Sequence, residues 1–209
     1  MSLFLGKIHF WLYNKIKWAE KAEEEIIQWA KTNGLPVEDW VKTGIEQYGQ
    51  PIGNQELEES IDKSNIHGWL QERIKSAELR QAALITKILS ENEKYKEDLN
   101  EIFKRQGQAA AQQYTDHPET PEGMFNAVNN FILEGMPCDR SSQMITNNNQ
   151  EITWELSTCL HEPYWAQVKG DVKNFYELRE AWVSSFIEAL NPEFKYNKTE
   201  DGTHSITRN

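Results

Sequence analysis

The hydrophobic pattern of this 209-residue chain changes its period near residue 150, and this change restricts the fold more than any other feature. Before it, apolar residues recur every three, four or seven positions over long stretches, which predicts amphipathic helices. After it, apolar and polar side chains alternate from residue 152 to 161, which is typical of a half-buried strand. The sequence therefore predicts a helix-rich α+β protein, in which N-terminal helices are followed by a small antiparallel sheet with packed helices.

Helix stop signals divide the first part of the chain. Gly34 and Pro36 end a helix predicted over 3–33, and Gly49 ends a short one over 37–48. A long helical pattern follows from residue 64 to 111 with a restart near 90–93, and further helices are expected from residue 120 and over 171–190. The polar stretch 115–119 separates a helical region, residues 1–114, from an α+β region that resembles a small-molecule-binding domain, residues 115–209. The alternative is that both regions form one integrated domain.

A terminal hairpin is predicted from residues 194–199 and 203–207. A three-residue loop with Gly202 in a left-handed conformation would place Tyr196, His204 and Ile206 on one face. A two-residue loop would move Ile206 to the opposite face from the aromatic residues. The three-residue loop is therefore the predicted one.

Charge and composition exclude several classes of protein. The net charge is −11, from 22 basic and 33 acidic residues, and no basic patch opposes it, so nucleic-acid binding is not expected. The apolar stretch at residues 8–13 is too short to span a bilayer, although peripheral membrane contact by residues 1–18 stays open. Two cysteines are too few for a disulfide scaffold, and a cytoplasmic location is expected. The aromatic first helix also suggests a homodimer.

Cys159 and His161 are the candidate catalytic residues. If the strand continues to residue 161, both side chains lie on the same face, where a thiol and an imidazole could act as nucleophile and base. They could instead be two ligands of a zinc site that Cys138 and His204 complete. The third interpretation is a small buried cysteine with a structural histidine. The spacing alone does not choose between these, and the sequence requires no metal or other cofactor.

Several nearby residues are candidate ligand contacts. Arg140 could hold a carboxylate through two hydrogen bonds, or pair with an adjacent acid. Tyr164 and Trp165 follow the Cys159/His161 pair directly, and Tyr176 and Arg179 lie on the next predicted helix. The sequence lacks a glycine-rich phosphate loop, a Gly-x-Ser-x-Gly elbow, a His-Glu-x-x-His motif and a Rossmann fingerprint.

The order of elements after residue 120 is similar to a known layout. A helix leads to a strand ending in Cys159, and a second helix ends in Leu190-Asn191-Pro192 before a hairpin that turns at Asp201-Gly202. This order resembles the C-terminal domain of L-2-amino-thiazoline-4-carboxylic acid hydrolase-like proteins and the related vinyl-4-reductase small-molecule-binding domains. The first 112 residues have no counterpart in this resemblance.

The resemblance implies a pocket for a small organic ligand. It would be lined by Cys159, His161, Tyr176 and His204, the last two standing where members of the family often carry further cysteines. We therefore predict a small-molecule-binding protein and, more specifically, a hydrolase of C–N or ring bonds in an amino-acid-like or heterocyclic substrate. The alternatives are a non-catalytic helical dimerisation or sensor module and a zinc-binding protein that uses Cys159 and His161.

Overall fold

The computed structural model describes residues 5–209. In chain order, this part of the protein forms eight helices and four strands, which are α1 (Lys7–Thr32), α2 (Val37–Tyr48), α3 (Leu57–Ser60), α4 (Ile66–Glu91), α5 (Tyr95–Gln113), α6 (Pro121–Asn129), β1 (Ser142–Asn147), β2 (Glu151–Leu156), α7 (Glu162–Gln167), α8 (Val172–Leu190), β3 (Phe194–Lys198) and β4 (His204–Arg208). The predicted helix-rich α+β class is confirmed. The prediction for α1 began at residue 3, and its first two residues lie outside the described part.

The chain divides into two compact units. Among the described residues, the first unit comprises 5–96 and 161–172, and the second comprises 97–160 and 173–209. The division predicted after residue 114 differs from this one, because most of α5 belongs to the second unit and α7 belongs to the first. No helix in residues 5–209 is long and apolar enough to cross a membrane.

The first unit is a helical assembly around α4. Helices α1, α2 and α7 all pack against α4, and α1 also packs against α2. The buried stripe of α1 includes Leu12, Ile16, Ile26 and Ala30, which are at most 1% exposed, so the periodicity in the sequence corresponds to a real core face. The predicted restart after α4 is confirmed, since residues 92–94 separate α4 from α5.

The second unit contains a four-stranded antiparallel sheet in the order β1-β2-β4-β3. Helix α6 packs against β2 and β4. The register of the β3–β4 hairpin pairs Tyr196 with Ile206, and the Thr199 amide donates to the Thr203 carbonyl at 2.9 Å. Gly202 has a φ of 91°. The predicted three-residue loop, and the face it assigns to Tyr196 and Ile206, are therefore confirmed.

Helices α5 and α8 of the second unit approach closely at Gly107. A Cβ atom at this position would lie 2.3 Å from the carbonyl oxygen of Trp182 and 3.0 Å from the amide nitrogen of Phe186. Both neighbours are backbone atoms of α8. A residue without a side chain is therefore what allows the two helices to pack at this distance.

The strand predicted to reach residue 161 was too long. Strand β2 ends at Leu156, and residues 157–161 form bends that lead into α7. The Ser157 amide still donates to the Ser141 carbonyl at 2.8 Å, in register with the β1–β2 pair, so the chain leaves the sheet after this residue. Pro163 then lies in the first turn of α7, which the sequence did not predict. Strand β1 was also missed, since most of its side chains are exposed and show no alternation.

Candidate functional site

A cavity of about 710 Å³ lies in the first unit between α1, α2, α4 and the end of α7. Its apolar wall includes Trp40, Val41 and Tyr48 from α2 and Ala83 and Leu84 from α4. This volume falls within the range of small-molecule sites, which are mostly apolar with a few placed polar groups. The cavity is therefore large enough for a ligand of ordinary metabolite size.

Buried ion pairs form one part of the cavity wall. The side chain of Arg80 is 2% exposed, and it donates from Nη2 to Glu20 at 2.7 Å and from Nε to Glu23 at 3.1 Å. Its Nη1 donates to the Gly49 carbonyl at 3.1 Å, and Glu20 accepts from the Ile52 amide at 2.8 Å. Two carboxylates thus share one guanidinium, which leaves this buried group with a charge of −1 when both are ionised.

Glu23 is the member of this group whose protonation is most perturbed. It lines the cavity, and burial raises the pKa of its carboxyl to about 7. The charge of Arg80 and its hydrogen bond oppose this shift, while the neighbouring carboxylates of Glu20 and Glu24 add to it. Glu23 therefore exchanges a proton near neutral pH, at the wall of a cavity.

Two exposed lysines, Lys87 and Lys169, also line the cavity. Lys169 follows α7 with a φ of 60°, and the next residue, Gly170, bonds back to the Trp165 carbonyl at 2.8 Å. This is a Schellman cap with lysine at the position that normally holds glycine, at a cost of about 1 kcal/mol. Gly170 is fixed too, because a Cβ there would lie 2.3 Å from the Thr86 hydroxyl oxygen.

A second cluster of polar residues lies in the second unit around Cys159. The Tyr176 hydroxyl donates to the Cys159 sulfur at 2.9 Å. Burial, followed by this hydrogen bond, raises the pKa of Tyr176 well above its usual value, so the hydroxyl remains a donor. Arg179 bonds to the carboxylate of Glu134 and packs 4.4 Å from the ring centre of Phe175.

His204 belongs to the same cluster. Its Nδ1 lies 2.7 Å from the Tyr196 hydroxyl, and its ring stacks on Trp154 with the ring centres 5.3 Å apart. Burial lowers the pKa of His204 to about 4, and the positive charges of Lys198 and Arg179 contribute to this shift. The imidazole is therefore neutral at pH 7, which suits it to hydrogen bonding rather than to pairing with an anion.

Four of the residues predicted for a ligand site lie together in the second unit. They are Cys159, Tyr176, Arg179 and His204, and the charge of Arg179 acts on the pKa values of both Tyr176 and His204. His161 belongs to the first unit, where its buried Nδ1 lies 3.0 Å from the Glu78 carboxylate. The expected side-by-side placement of Cys159 and His161 on one strand was wrong, because β2 ends before either residue.

The other predicted contacts have different surroundings. Arg140 is exposed and has a φ of 49°, and Cys138 is exposed. Tyr164 and Trp165 lie on α7, and Trp165 is a core residue at 1% exposure. In residues 5–209, no three His, Cys, Asp or Glu side chains form a group that could hold a metal ion. Cys138, Cys159 and His204, the members of the predicted zinc set that belong to the second unit, do not form such a group.

The prediction missed Glu20, Glu23 and Arg80, although α1 carries a signal for the first two. Glu20 and Glu23 occupy the same stripe as Ile16 and Ile26, at spacings of four, three and three residues. A charge at a core position of a helix requires a buried partner. The stripe could thus have indicated that α1 takes part in a buried ion pair. It could not have indicated which of the 22 basic residues is the partner.

No protein-family model matches this chain, and no curated protein or solved structure matches it either. The resemblance to hydrolase-like and vinyl-4-reductase domains therefore stays a prediction.

Proposed function

We propose that this protein binds a small organic molecule in the cavity of its first unit. The observation that carries the proposal is the cavity itself, about 710 Å³ in volume, in which the buried charged residues Glu23 and Arg80 lie beside an apolar part of the wall. Small-molecule sites combine these two features, because apolar walls supply affinity and a few charged groups fix orientation. A titratable group perturbed by burial at such a wall adds to the case.

Small residues keep this cavity open. Ala83 lines it from α4, and Gly44 lines it from the middle of α2. A Cβ at Gly44 would meet only the Arg80 side chain within residues 5–209, at 4.0 Å. A helix interior gains stability when alanine replaces glycine, so a glycine beside open space is a cost to the fold. Open space beside a glycine in a helix is what a ligand site would require.

Filling the cavity is expected to abolish ligand binding. A library of polar metabolites would be screened by ligand-observed NMR against the wild type and against Ala83→Trp. Hits that compete with one another for the wild type should lose at least tenfold in affinity for Ala83→Trp, because the indole would occupy the cavity. Gln71→Trp, an exposed position of α4, is the matched control and should bind as the wild type does. Hits that bind Ala83→Trp undiminished, or a screen without hits, would contradict the proposal.

Thiol chemistry at Cys159 is the second candidate function, and the hydrogen bond from Tyr176 favours it. A thiolate is stabilised by such a donor, and a hydrolase that acts through Cys159 would need the thiolate as its nucleophile. We expect Tyr176→Phe to slow the alkylation of Cys159 by iodoacetamide about tenfold, since a hydrogen bond to a charged group contributes about 1.5 kcal/mol or more.

The exposed Cys138 provides the internal control for this experiment, because both thiols are followed in one digest by mass spectrometry. Its alkylation rate should not change in Tyr176→Phe. If Cys159 reacted at the same rate with and without the tyrosine hydroxyl, the second candidate would lose its support.

A further inference from the structure

We infer that the ligand of the first unit's cavity is dipolar, with a cationic group held at Glu23 and an anionic group held by Lys87 and Lys169. This inference rests on the proposed function, since it names the class of molecule that the same cavity would accept. It follows from the placement of opposite charges at two ends of one cavity wall.

The inner end of the cavity favours a cation. Glu20, Glu23 and Arg80 together carry one more negative than positive charge when both carboxylates are ionised, and all three are buried. Within residues 5–209, the hydrogen bond that Glu23 accepts comes from the single Nε–H of Arg80. A carboxylate has room for about four donors, so a ligand ammonium could donate to Glu23 and supply the missing positive charge.

The outer end favours an anion. Three exposed charged residues line the cavity, and two of them are lysines: Lys87 comes from α4 and Lys169 from the cap of α7, while the third residue is Asp39 of α2. The chain as a whole has 33 acidic and 22 basic residues. Lys169 stands in the left-handed conformation, where glycine would be less strained. A strained residue that keeps a long cationic side chain at a cavity mouth suggests that the side chain has a use beyond the fold.

An additional polar group lies on the same side of the cavity. Thr86 precedes Lys87 and lines the cavity, and its buried hydroxyl oxygen has no hydrogen-bond partner in residues 5–209. Buried hydroxyls are normally hydrogen-bonded, so one without a partner requires an explanation. The hydroxyl has almost no accessible surface and faces Gly170, where a Cβ would lie 2.3 Å from it, so it packs α4 against the cap that carries Lys169 and is not itself a ligand contact.

The helix geometry sets the separation of the two charges. Arg80, Ala83, Leu84 and Lys87 all line the cavity, and their spacing of three, four and seven residues places them on one face of α4. Seven residues of helix correspond to a rise of about 10 Å from Arg80 to Lys87. The expected ligand is therefore an extended molecule with its amine and its acid at opposite ends, not a compact zwitterion.

Linear aminoalkanoates provide the probe. Binding of 4-aminobutanoate, 6-aminohexanoate and 8-aminooctanoate would be measured by isothermal titration calorimetry, with octylamine and octanoate as the single-charge analogues of the longest compound. We expect 8-aminooctanoate to bind at least tenfold more tightly than octylamine, octanoate or 4-aminobutanoate. Lys87→Ala should weaken its binding several-fold, whereas Lys75→Ala, an exposed lysine of α4 outside the cavity, should not.

Two variants separate the role of each charge from the stability of the fold. Lys169→Gly should weaken the binding of 8-aminooctanoate several-fold while it raises the melting temperature, since glycine relieves the left-handed conformation. Glu23→Gln should remove the contribution of the ligand's amine to the binding affinity. An ammonium beside Glu23 favours the ionised carboxylate, so binding to the wild type near pH 7 should release protons, and binding to Glu23→Gln should not.

The outcomes distinguish this inference from the proposed function. Octylamine or octanoate binding as tightly as 8-aminooctanoate would overturn the dipolar ligand, and so would a Lys169→Gly variant with unchanged affinity. No binding by any of these compounds would also overturn it. In each of these cases, metabolite hits that are lost in Ala83→Trp would still support a small-molecule site in this cavity.

Discussion

Replacement of Gly107 by alanine should destabilise the second unit by about 3 kcal/mol, close to the upper end of the usual cost of overpacking. The added methyl group would meet the carbonyl of Trp182 at 2.3 Å and the amide of Phe186 at 3.0 Å. Because both obstacles are backbone atoms, no rotamer change relieves the clash, and α5 and α8 would have to move apart. The stacked rings of Trp182 and Phe186, 5.1 Å apart, would be disturbed with them. Hydrogen exchange of the amides in α5 and α8 would measure the loss.

Gly44→Ala is the matched control, because it makes the same substitution in another helix. Its methyl group would approach only Arg80 among the described residues, at an ordinary 4.0 Å. The gain in helix propensity should then stabilise the first unit by up to about 1 kcal/mol. The change in the free energy of unfolding is therefore expected to have opposite signs in Gly107→Ala and Gly44→Ala. Similar effects at Gly107 and Gly44 would show that the close approach of α5 and α8 does not determine the stability of the second unit.

Arg80→Met should cost about 3 to 5 kcal/mol, the range found when one partner of a buried ion pair is removed. Glu20 and Glu23 would lose their shared cation while remaining buried, and the Gly49 carbonyl would lose a donor. The folded variant would then favour protonated carboxyls more strongly than the unfolded chain does. Its stability should therefore rise as the pH falls from 8 to 5, as measured by urea denaturation at each pH.

Two comparisons make the result specific to the buried charges. Arg105→Met removes an exposed arginine and should change the free energy of unfolding by less than about 0.5 kcal/mol. Adding Glu20→Gln and Glu23→Gln to Arg80→Met removes both orphaned charges and should recover a large part of the loss. An Arg80→Met variant as mild as Arg105→Met would mean that the three buried side chains stabilise the first unit very little.

Local patterns predicted those parts of the fold that local interactions determine. The stripe of Ile16 and Ile26 identified α1, and Gly202 fixed the register of the last hairpin, since a loop one residue shorter would have exposed Ile206. The predicted extension of β2 was wrong because the alternation of side chains continues by coincidence after Leu156. The chain leaves the sheet after Leu156 to reach α7, which belongs to the other compact unit, and the alternation of side chains does not show this departure.

The candidate sites were predictable to different degrees. Four residues selected from the sequence lie in one cluster of the second unit: Cys159, Tyr176, Arg179 and His204. The predicted α8 and the terminal hairpin were close to their observed bounds, so the residues they carry were placed correctly along the chain. The cavity of the first unit was not predicted. It forms where three helices and the cap of α7 meet, and the two ion pairs of Arg80 join positions 57 and 60 residues apart.

The return of residues 161–172 to the first unit has a consequence for the order in which the protein is made. The ribosome synthesises α4 and then strands β1 and β2 of the second unit before it reaches His161, which is the buried partner of Glu78. Until then Glu78 lacks the imidazole of His161, and α4 lacks the packing of α7, the helix that carries the buried Trp165. The first unit therefore cannot finish folding when the chain has emerged only as far as residue 96, because it also needs residues 161–172, which are made after much of the second unit.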